Sequence, residues 1–220
     1  MHYIKQYILD KLIFAEYLRN RDMRPPNVES NLYQYHLKEL QKEGYVKKTE
    51  LGYTLSKKGL KYASQHSTYL KKLRPQPTVL TIVFVENAQG QVLIRTKQRQ
   101  PFIGTQTLLM GKMHLNETVI EQARREFIEK TDPFEGVNDL EFNQFATAHI
   151  VITQADCVIT DYIALLVRVL VPDAVTAPNA VFMDPASAIG SLTPGIRELL
   201  DMYCNGDTFA EFLVAIDEPG

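Results

Sequence analysis

The hydrophobic pattern changes once along the chain. Up to about residue 72, apolar residues recur at helical intervals, as Ile4, Ile8 and Leu12 do. From Val79 onward, continuous apolar runs such as VLTIVFVE predict buried strands. We therefore expect a helical domain over residues 1–73 and an α/β (α+β) domain over 79–220. The linker is placed at 74–78, where two prolines disfavour helix.

The first domain has the element order of a winged helix-turn-helix. A first helix is predicted over residues 3–19, and a second over NLYQYHLKELQKEG, with Ser30 as its N-cap. In this second helix we expect Leu32, Tyr35 and Leu40 to face inward. The segment YVKKTELGYTLS predicts a hairpin, and a last helix is expected from Ser56 to about Lys72.

Two strings in this domain are similar to known sequences. HLKELQKEGYVKK resembles the recognition-helix end of winged-helix regulators, and YTLSKKG resembles the exit from their wing. The resemblance implies binding to double-stranded DNA, with the helix in the major groove and lysines on phosphates. The candidate DNA contacts are Asn31, Tyr33, Gln34, Lys38, Lys47 and Lys48, with Arg19, Arg21 and Arg24 as further phosphate contacts. A solvated helical surface, or a winged helix that contacts proteins, are the alternatives.

Charge divides the chain in the same place. Residues 1–75 contain 15 Lys+Arg and 7 Asp+Glu, a net charge of +8. The remaining residues contain 9 Lys+Arg and 19 Asp+Glu, a net charge of −10. The first part suits a polyanion and the second repels one, so two domains with different partners are expected. No apolar run reaches the length of a membrane helix and only two cysteines occur, which favours a reduced, cytoplasmic location.

The second domain opens with a basic stripe. QVLIRTKQR predicts a strand that places Arg95, Lys97 and Arg99 on one face. This stripe either binds an anion or protects an exposed sheet edge by charge. Later strands are predicted at FATAHIVITQ, CVITDYIALLVRVLVP and AVFMD, and a closing helix at TPGIRELLDMYC.

The stretch GKMHLNETVIEQARREFIEK resembles the Nudix box, in which a glycine, a glutamate and an Arg-Glu pair have fixed spacing. The residues in register are Gly111, Glu117, Arg125, Glu126, Phe127 and Glu129. Thr118 and Glu121 form a capping box that starts a helix there. The resemblance implies a Nudix-like α/β/α sandwich with a mixed sheet. It also implies a catalytic set, Glu117, Arg125, Glu126 and Glu129, with Glu126 and Glu129 as ligands of a weakly held Mg²⁺.

The box departs from the family pattern at four positions. Lys130 replaces the second glutamate of the Glu-Glu pair, a principal metal ligand in the family, and Asp132 replaces the last glycine. Asn116 and Met110 stand where glycines are frequent. A lysine beside the metal would repel it, and it could instead pair with Glu126 or hold phosphate as a point charge. Residual hydrolysis, ligand binding without turnover and a purely structural domain are the alternatives.

Two functions follow from these features. The first is a transcriptional regulator whose Nudix-like domain senses a nucleotide-diphosphate metabolite, with Arg95, Lys97, Arg99, Gly111, Lys112 and Lys130 as ligand contacts. Known Nudix-related regulators sense ADP-ribose-type molecules, although their winged helix follows the Nudix domain. The second is an Mg²⁺-dependent Nudix pyrophosphohydrolase with an appended winged helix that binds a nucleic acid or a partner. A homodimer is expected because operators are symmetric.

Overall fold

The structure, a computed structural model, describes residues 1–67, 69, 72–155, 157–188 and 190–216. The chain separates into two compact units, Met1–Gln76 and Pro77–Gly220. No helix among the described residues is long and apolar enough to cross a membrane. Cys157 and Cys204 are exposed free thiols.

The first unit contains three helices and a hairpin. Its elements are α1 (Tyr3–Ile13), a 3-10 turn (Asn20–Met23), α2 (Ser30–Lys42), β1 (Val46–Thr49), β2 (Gly52–Leu55), α3 (Lys57–Gln65), β3 (His66–Ser67) and β4 (Lys72–Leu73). Strands β1 and β2 pair antiparallel, and Tyr53 of β2 forms a bridge with Leu18. Ser56 caps α3 by accepting a hydrogen bond from the Gly59 N–H at 3.2 Å.

The buried face of α2 differs in part from the predicted one, although Leu40 is buried as predicted. Tyr33 and Leu37 are 1% exposed, whereas Leu32 is 44% exposed and Tyr35 is 58% exposed. The ring of Tyr33 can be buried because its hydroxyl donates to the backbone oxygen of Asn20 at 2.6 Å. Tyr33 is therefore not available to DNA in this structure, and its prediction as a DNA contact is wrong. The helix begins at Ser30, so Ser30 is not the N-cap.

The third helix is shorter than predicted. It ends at Gln65, because His66 and Ser67 are extended and pair antiparallel with Lys72 and Leu73. The ring of His66 stacks on Tyr62 with centroids 4.8 Å apart, which holds this reversal of the chain. The part of the prediction that concerns residues 68, 70 and 71 lies outside the described residues.

The second unit is built on one eight-stranded mixed sheet, and the predicted α/β class is confirmed. Its strands are β5 (Thr78–Glu86), β6 (Val92–Thr96), β7 (Gln106–Thr107), β8 (Leu109–Lys112), β9 (Phe142–Gln154), β10 (Cys157–Leu170), β11 (Ala180–Met183) and β12 (Phe209–Ile216). Its helices are α4 (Val119–Lys130), a 3-10 turn (Val137–Asp139) and α5 (Ile196–Asn205).

The sheet has the order β11-β6-β5-β10-β9-β12, with β7 paired to β6 and β8 paired to β5. Strands β5 and β10 run parallel, as do β9 and β12, and the other pairs are antiparallel. Strands β7, β8 and β12 were not predicted from the sequence. The strand predicted over 91–99 ends at Thr96, so Lys97 and Arg99 follow it.

Two hydrophobic cores cover the two faces of the sheet. One packs α5 against residues such as Phe84, Ile150 and Leu166. The other packs Ala123 and Phe127 of α4 against the opposite face. Because the helices lie on opposite faces, this unit has the three layers of an α/β/α sandwich. The pairing of β8 with β5 carries Met110 and Gly111 to the side of α4, where the candidate site lies.

Candidate functional site

Helix α4 is fixed at its start by the predicted capping box. The Thr118 hydroxyl accepts from the Glu121 N–H at 3.3 Å, and Glu121 accepts from the Thr118 N–H at 2.8 Å. The turn before it includes Asn116 at a left-handed φ of 64°. Asparagine tolerates this conformation better than most residues, which explains how it can replace a glycine there.

Helix α4 is tied to β8 by a buried polar side chain that the sequence analysis missed. Gln122 is 0% exposed, donates to the Gly111 carbonyl and accepts from the Thr81 hydroxyl. A buried amide must find such partners, so these bonds set the position of α4 against the sheet. The one sequence signal for this contact is a threonine inside the apolar run VLTIVFVE.

Arg125 contacts three glutamates: Glu117 in the turn before α4, and Glu126 and Glu129 on the helix itself. It binds both oxygens of Glu117, with Nε at 2.7 Å and Nη2 at 3.1 Å. Its Nη1 donates to Glu126 at 2.7 Å and to Glu129 at 3.3 Å. The hydrogen bond from Arg125 lowers the pKa of Glu117 to about 2, and Glu117 in turn raises the pKa of Arg125. With the Lys112 carbonyl as the fifth acceptor, every N–H of the guanidinium is used.

Lys130 turns into the site. Its ammonium donates to one carboxylate oxygen of Glu126 and to the carbonyl of Met110 on β8. Glu126 is 3% exposed, and its other oxygen accepts from Arg125, so the buried carboxylate is held between two cations. The predicted pairing of Glu126 with Lys130 is present in the structure, together with a backbone contact that the helical spacing could not reveal.

Gly111 provides the room for this carboxylate. A Cβ placed on Gly111 would overlap the carboxylate atoms of Glu126. The glycine is therefore required by the close approach of β8 to α4, and its backbone is not in a left-handed conformation. This contact gives a physical reason for a glycine fifteen residues before the glutamate.

The site opens into a cleft with a volume of about 1430 Å³, part of it open to solvent. The six predicted ligand contacts lie together along it: Arg95, Lys97, Arg99, Gly111, Lys112 and Lys130. Glu126 and Glu129 also line the cleft, and so do Gln98, Thr107, Leu108 and Met110, which were not predicted. Glu117 is held beside the site by Arg125 without lining the cleft.

The cleft concentrates positive charge within an acidic unit. Five of the nine basic side chains after residue 75 line it, against two of the 19 − 3 = 16 acidic ones that the structure describes. Lys97 lies at its inner edge with its ammonium 5.4 Å from the centre of the Phe102 ring, and burial lowers the pKa of this lysine. Lys97 and Met110 also line a smaller, mostly apolar pocket with about 370 Å³ of empty space, part of it open to solvent.

The arrangement of these residues does not fit a magnesium ion. Glu117, Glu126 and Glu129 are each paired with Arg125, and Glu126 is also paired with Lys130. No group of three or more His, Cys, Asp and Glu side chains within the described ranges could hold a metal. Two unit charges 4 Å apart interact by about 4 kcal/mol at an effective dielectric of 20, and a divalent ion would double the repulsion from Lys130.

The predicted DNA contacts of the first unit occupy different environments. Asn31 and Lys38 are exposed on α2, and Lys47 and Lys48 are exposed on β1. Gln34 is half-buried and donates to the Asn20 side chain at 2.9 Å. Of the arginines before α2, Arg19 pairs with Asp22, Arg21 lies 3.6 Å from that carboxylate, and Arg24 donates to the Val28 carbonyl.

No protein-family model and no curated protein sequence matches the chain. Three similar solved structures are a NUDIX hydrolase from Nitrosomonas europaea, the NUDIX domain of Shewanella oneidensis NrtR in complex with ADP ribose, and S. oneidensis NrtR. The first is 16% identical, with 79% of this chain and 93% of that chain covered and a TM-score of 0.43.

The NrtR domain is 12% identical, with 66% of this chain and 96% of that chain covered and a TM-score of 0.46. The longer NrtR structure is 13% identical, with 56% and 60% covered and a TM-score of 0.41. Likeness of this degree does not assign a function to this chain.

Proposed function

We propose that the chain is a DNA-binding transcriptional regulator whose second unit binds a nucleotide-diphosphate metabolite without cleaving it efficiently. One observation carries the proposal: five of the nine basic side chains of an acidic unit line a single cleft. In that cleft the glutamates that would hold a metal are bound by cations. A site of this kind attracts phosphate oxygens and lacks free carboxylates for metal-assisted cleavage.

The charges of the cleft favour a ligand with at least two phosphate groups. Two carboxylates, Glu126 and Glu129, line the cleft together with five cations, which leaves a net charge of 5 − 2 = +3. The cations are Arg95, Lys97, Arg99, Lys112 and Lys130. Charge-assisted hydrogen bonds from lysine and arginine to phosphate are among the stronger ones in proteins.

The proposed DNA-binding surface lies on the first unit, whose net charge is +8. Asn31 and Lys38 share the exposed side of α2 with Tyr35, which we include in place of the buried Tyr33. Lys47 and Lys48 on β1 would contact phosphates, as would the exposed Arg21. We propose a homodimer that binds a symmetric site.

The alternative is a Nudix pyrophosphohydrolase with an appended winged helix. The observation that favours it is the retention of Glu117, Arg125, Glu126 and Glu129 in one connected network. If a metal could displace Lys130 from Glu126, this network would supply the carboxylates that such an enzyme needs.

The two functions are separated by one experiment on the purified full chain. Genomic fragments that it binds are selected and then tested for release by ADP-ribose, ADP and inorganic pyrophosphate, with and without Mg²⁺. We expect a defined set of fragments whose affinity changes with one of these compounds, and we expect the compound to remain intact. Rapid hydrolysis of a compound that has no effect on DNA affinity would favour the alternative.

A further inference from the structure

The position of Lys130 suggests a role beyond that of a lost metal ligand. Its ammonium is held by the Met110 carbonyl and by Glu126, so it occupies the side of the cleft where β8 and α4 meet. Its side chain is 23% exposed, so the group is held inside the cleft. The bonds fix a cation there before any ligand arrives.

The hydrogen bonds of Lys130 leave capacity for a ligand. A lysine ammonium has three N–H donors, and the two described contacts use two of them. The third can donate to a phosphate oxygen in the cleft. Because both partners of Lys130 lie on packed elements, α4 and β8, the ammonium is pre-organised and little side-chain entropy is lost on binding.

We propose that Lys130 is the built-in counter-cation of the cleft, so that the phosphorylated ligand binds without a divalent metal ion. The inference rests on the proposed ligand-binding function and defines its regulation: Mg²⁺ does not promote binding. A fixed ammonium supplies one positive charge and a directed hydrogen bond at the place where a metal would meet the phosphates.

The negative charge of Glu126 then weakens the binding of an anionic ligand. One of its oxygens takes a hydrogen bond from Lys130, and its charge offsets that of the ammonium. Glu126→Gln keeps a similar shape and removes the negative charge from the cleft. Its single oxygen can accept from Lys130, while its NH2 then replaces the oxygen that accepts from Arg125. The substitution should therefore strengthen anion binding. If Glu126 instead held a metal that the ligand needs, the same substitution would weaken binding.

The experiment measures ADP-ribose binding to the full chain by titration calorimetry, once in EDTA and once in Mg²⁺, with inorganic pyrophosphate as a second probe in EDTA. We expect equal affinity in EDTA and Mg²⁺. Lys130→Met should weaken binding at least about tenfold, or about 1.4 kcal/mol. Lys130→Arg, which keeps the charge, should stay within roughly threefold of the parent, and Glu126→Gln should bind roughly threefold more tightly or better.

Lys61→Met serves as the matched control, because this exposed lysine lies in the other unit and the charge change is the same. Its affinity for ADP-ribose should equal that of the parent. If Lys130→Met does not fold, as judged by circular dichroism, the sign of the Glu126→Gln effect decides the question. Binding that needs Mg²⁺, or that is lost in Glu126→Gln, would overturn the role of Lys130 and leave ligand binding in place. Failure of both probes to bind under any condition would remove the proposed function itself.

Discussion

The ammonium of Lys130 and the buried carboxylate of Glu126 form an ion pair one helical turn apart, and a backbone carbonyl of β8 completes the contact. Both residues line a cleft rich in basic side chains, so the pair determines part of the net charge that a bound ligand contacts.

The first prediction concerns the space that Gly111 leaves for Glu126. Gly111→Ala should destabilise the protein by about 1–3 kcal/mol, because the added methyl overlaps the carboxylate. Chemical denaturation of Gly111→Ala, Glu126→Ala and the double variant measures the coupling between the two positions. The double variant should lose less stability than the sum of the single changes, and strict additivity would show that the two groups do not meet.

The second prediction separates two tyrosines on α2. Tyr33→Phe should lower the stability of the first unit by about 1 kcal/mol, because the Asn20 carbonyl loses a buried donor. Tyr35→Phe should leave stability unchanged, because that side chain is exposed. The melting temperatures of the two variants, which carry the same substitution at different positions of α2, test this difference. A stability loss confined to Tyr35→Phe would contradict the burial described here.

The third prediction tests the hairpin as a DNA contact. Lys47→Glu with Lys48→Glu should weaken binding to all duplex sequences and lower the salt slope by about two, since each phosphate contact contributes about 0.9. Fluorescence anisotropy at several salt concentrations measures both effects. Lys11→Glu with Lys61→Glu makes the same charge change on α1 and α3. Equal losses in the two double variants would indicate a general charge effect and no local contact.

The fourth prediction concerns pH. His149 on β9 contacts Asp161 at 3.0 Å and Glu211 at 3.5 Å, and these carboxylates raise its pKa above the ordinary value. A raised folded-state pKa means that the stabilisation is fully present below about pH 6.5, the unfolded value, and is lost as the pH rises through the folded value. His149→Gln should flatten the stability profile in that range. A variant whose profile keeps the slope of the parent would assign the effect to other groups.

Some of the fold could be predicted because the local signals are strong. The capping box of Thr118 and Glu121 fixes the start of α4, and the continuous apolar run fixes β5. Which side of α2 faces the core could not be predicted, because the hydroxyl of the buried Tyr33 is satisfied by Asn20, which belongs to another element. The alternating pattern of β12 is present in FAEFLVAI, and its partner β9 lies far away in the sequence.

The sequence predicted which residues form the candidate site, but not how they contact one another. The helical spacing of Glu126 and Lys130 predicts their pairing, whereas the Met110 carbonyl reaches Lys130 only because β8 pairs with β5. The same pairing brings Gly111 against Glu126. The basic side chains Arg95, Lys97 and Arg99 line the same cleft as Lys130 of α4, and spacing along one strand cannot show this.

The most direct test of the central claim is phosphorus NMR of ADP-ribose mixed with the full chain and Mg²⁺. It follows binding and cleavage of the diphosphate in the same sample. We predict that the diphosphate signals shift or broaden on binding and that no cleavage products appear over hours. Conversion at ordinary enzyme rates, about 1–10³ s⁻¹, would contradict the account, as would signals that the protein leaves unchanged.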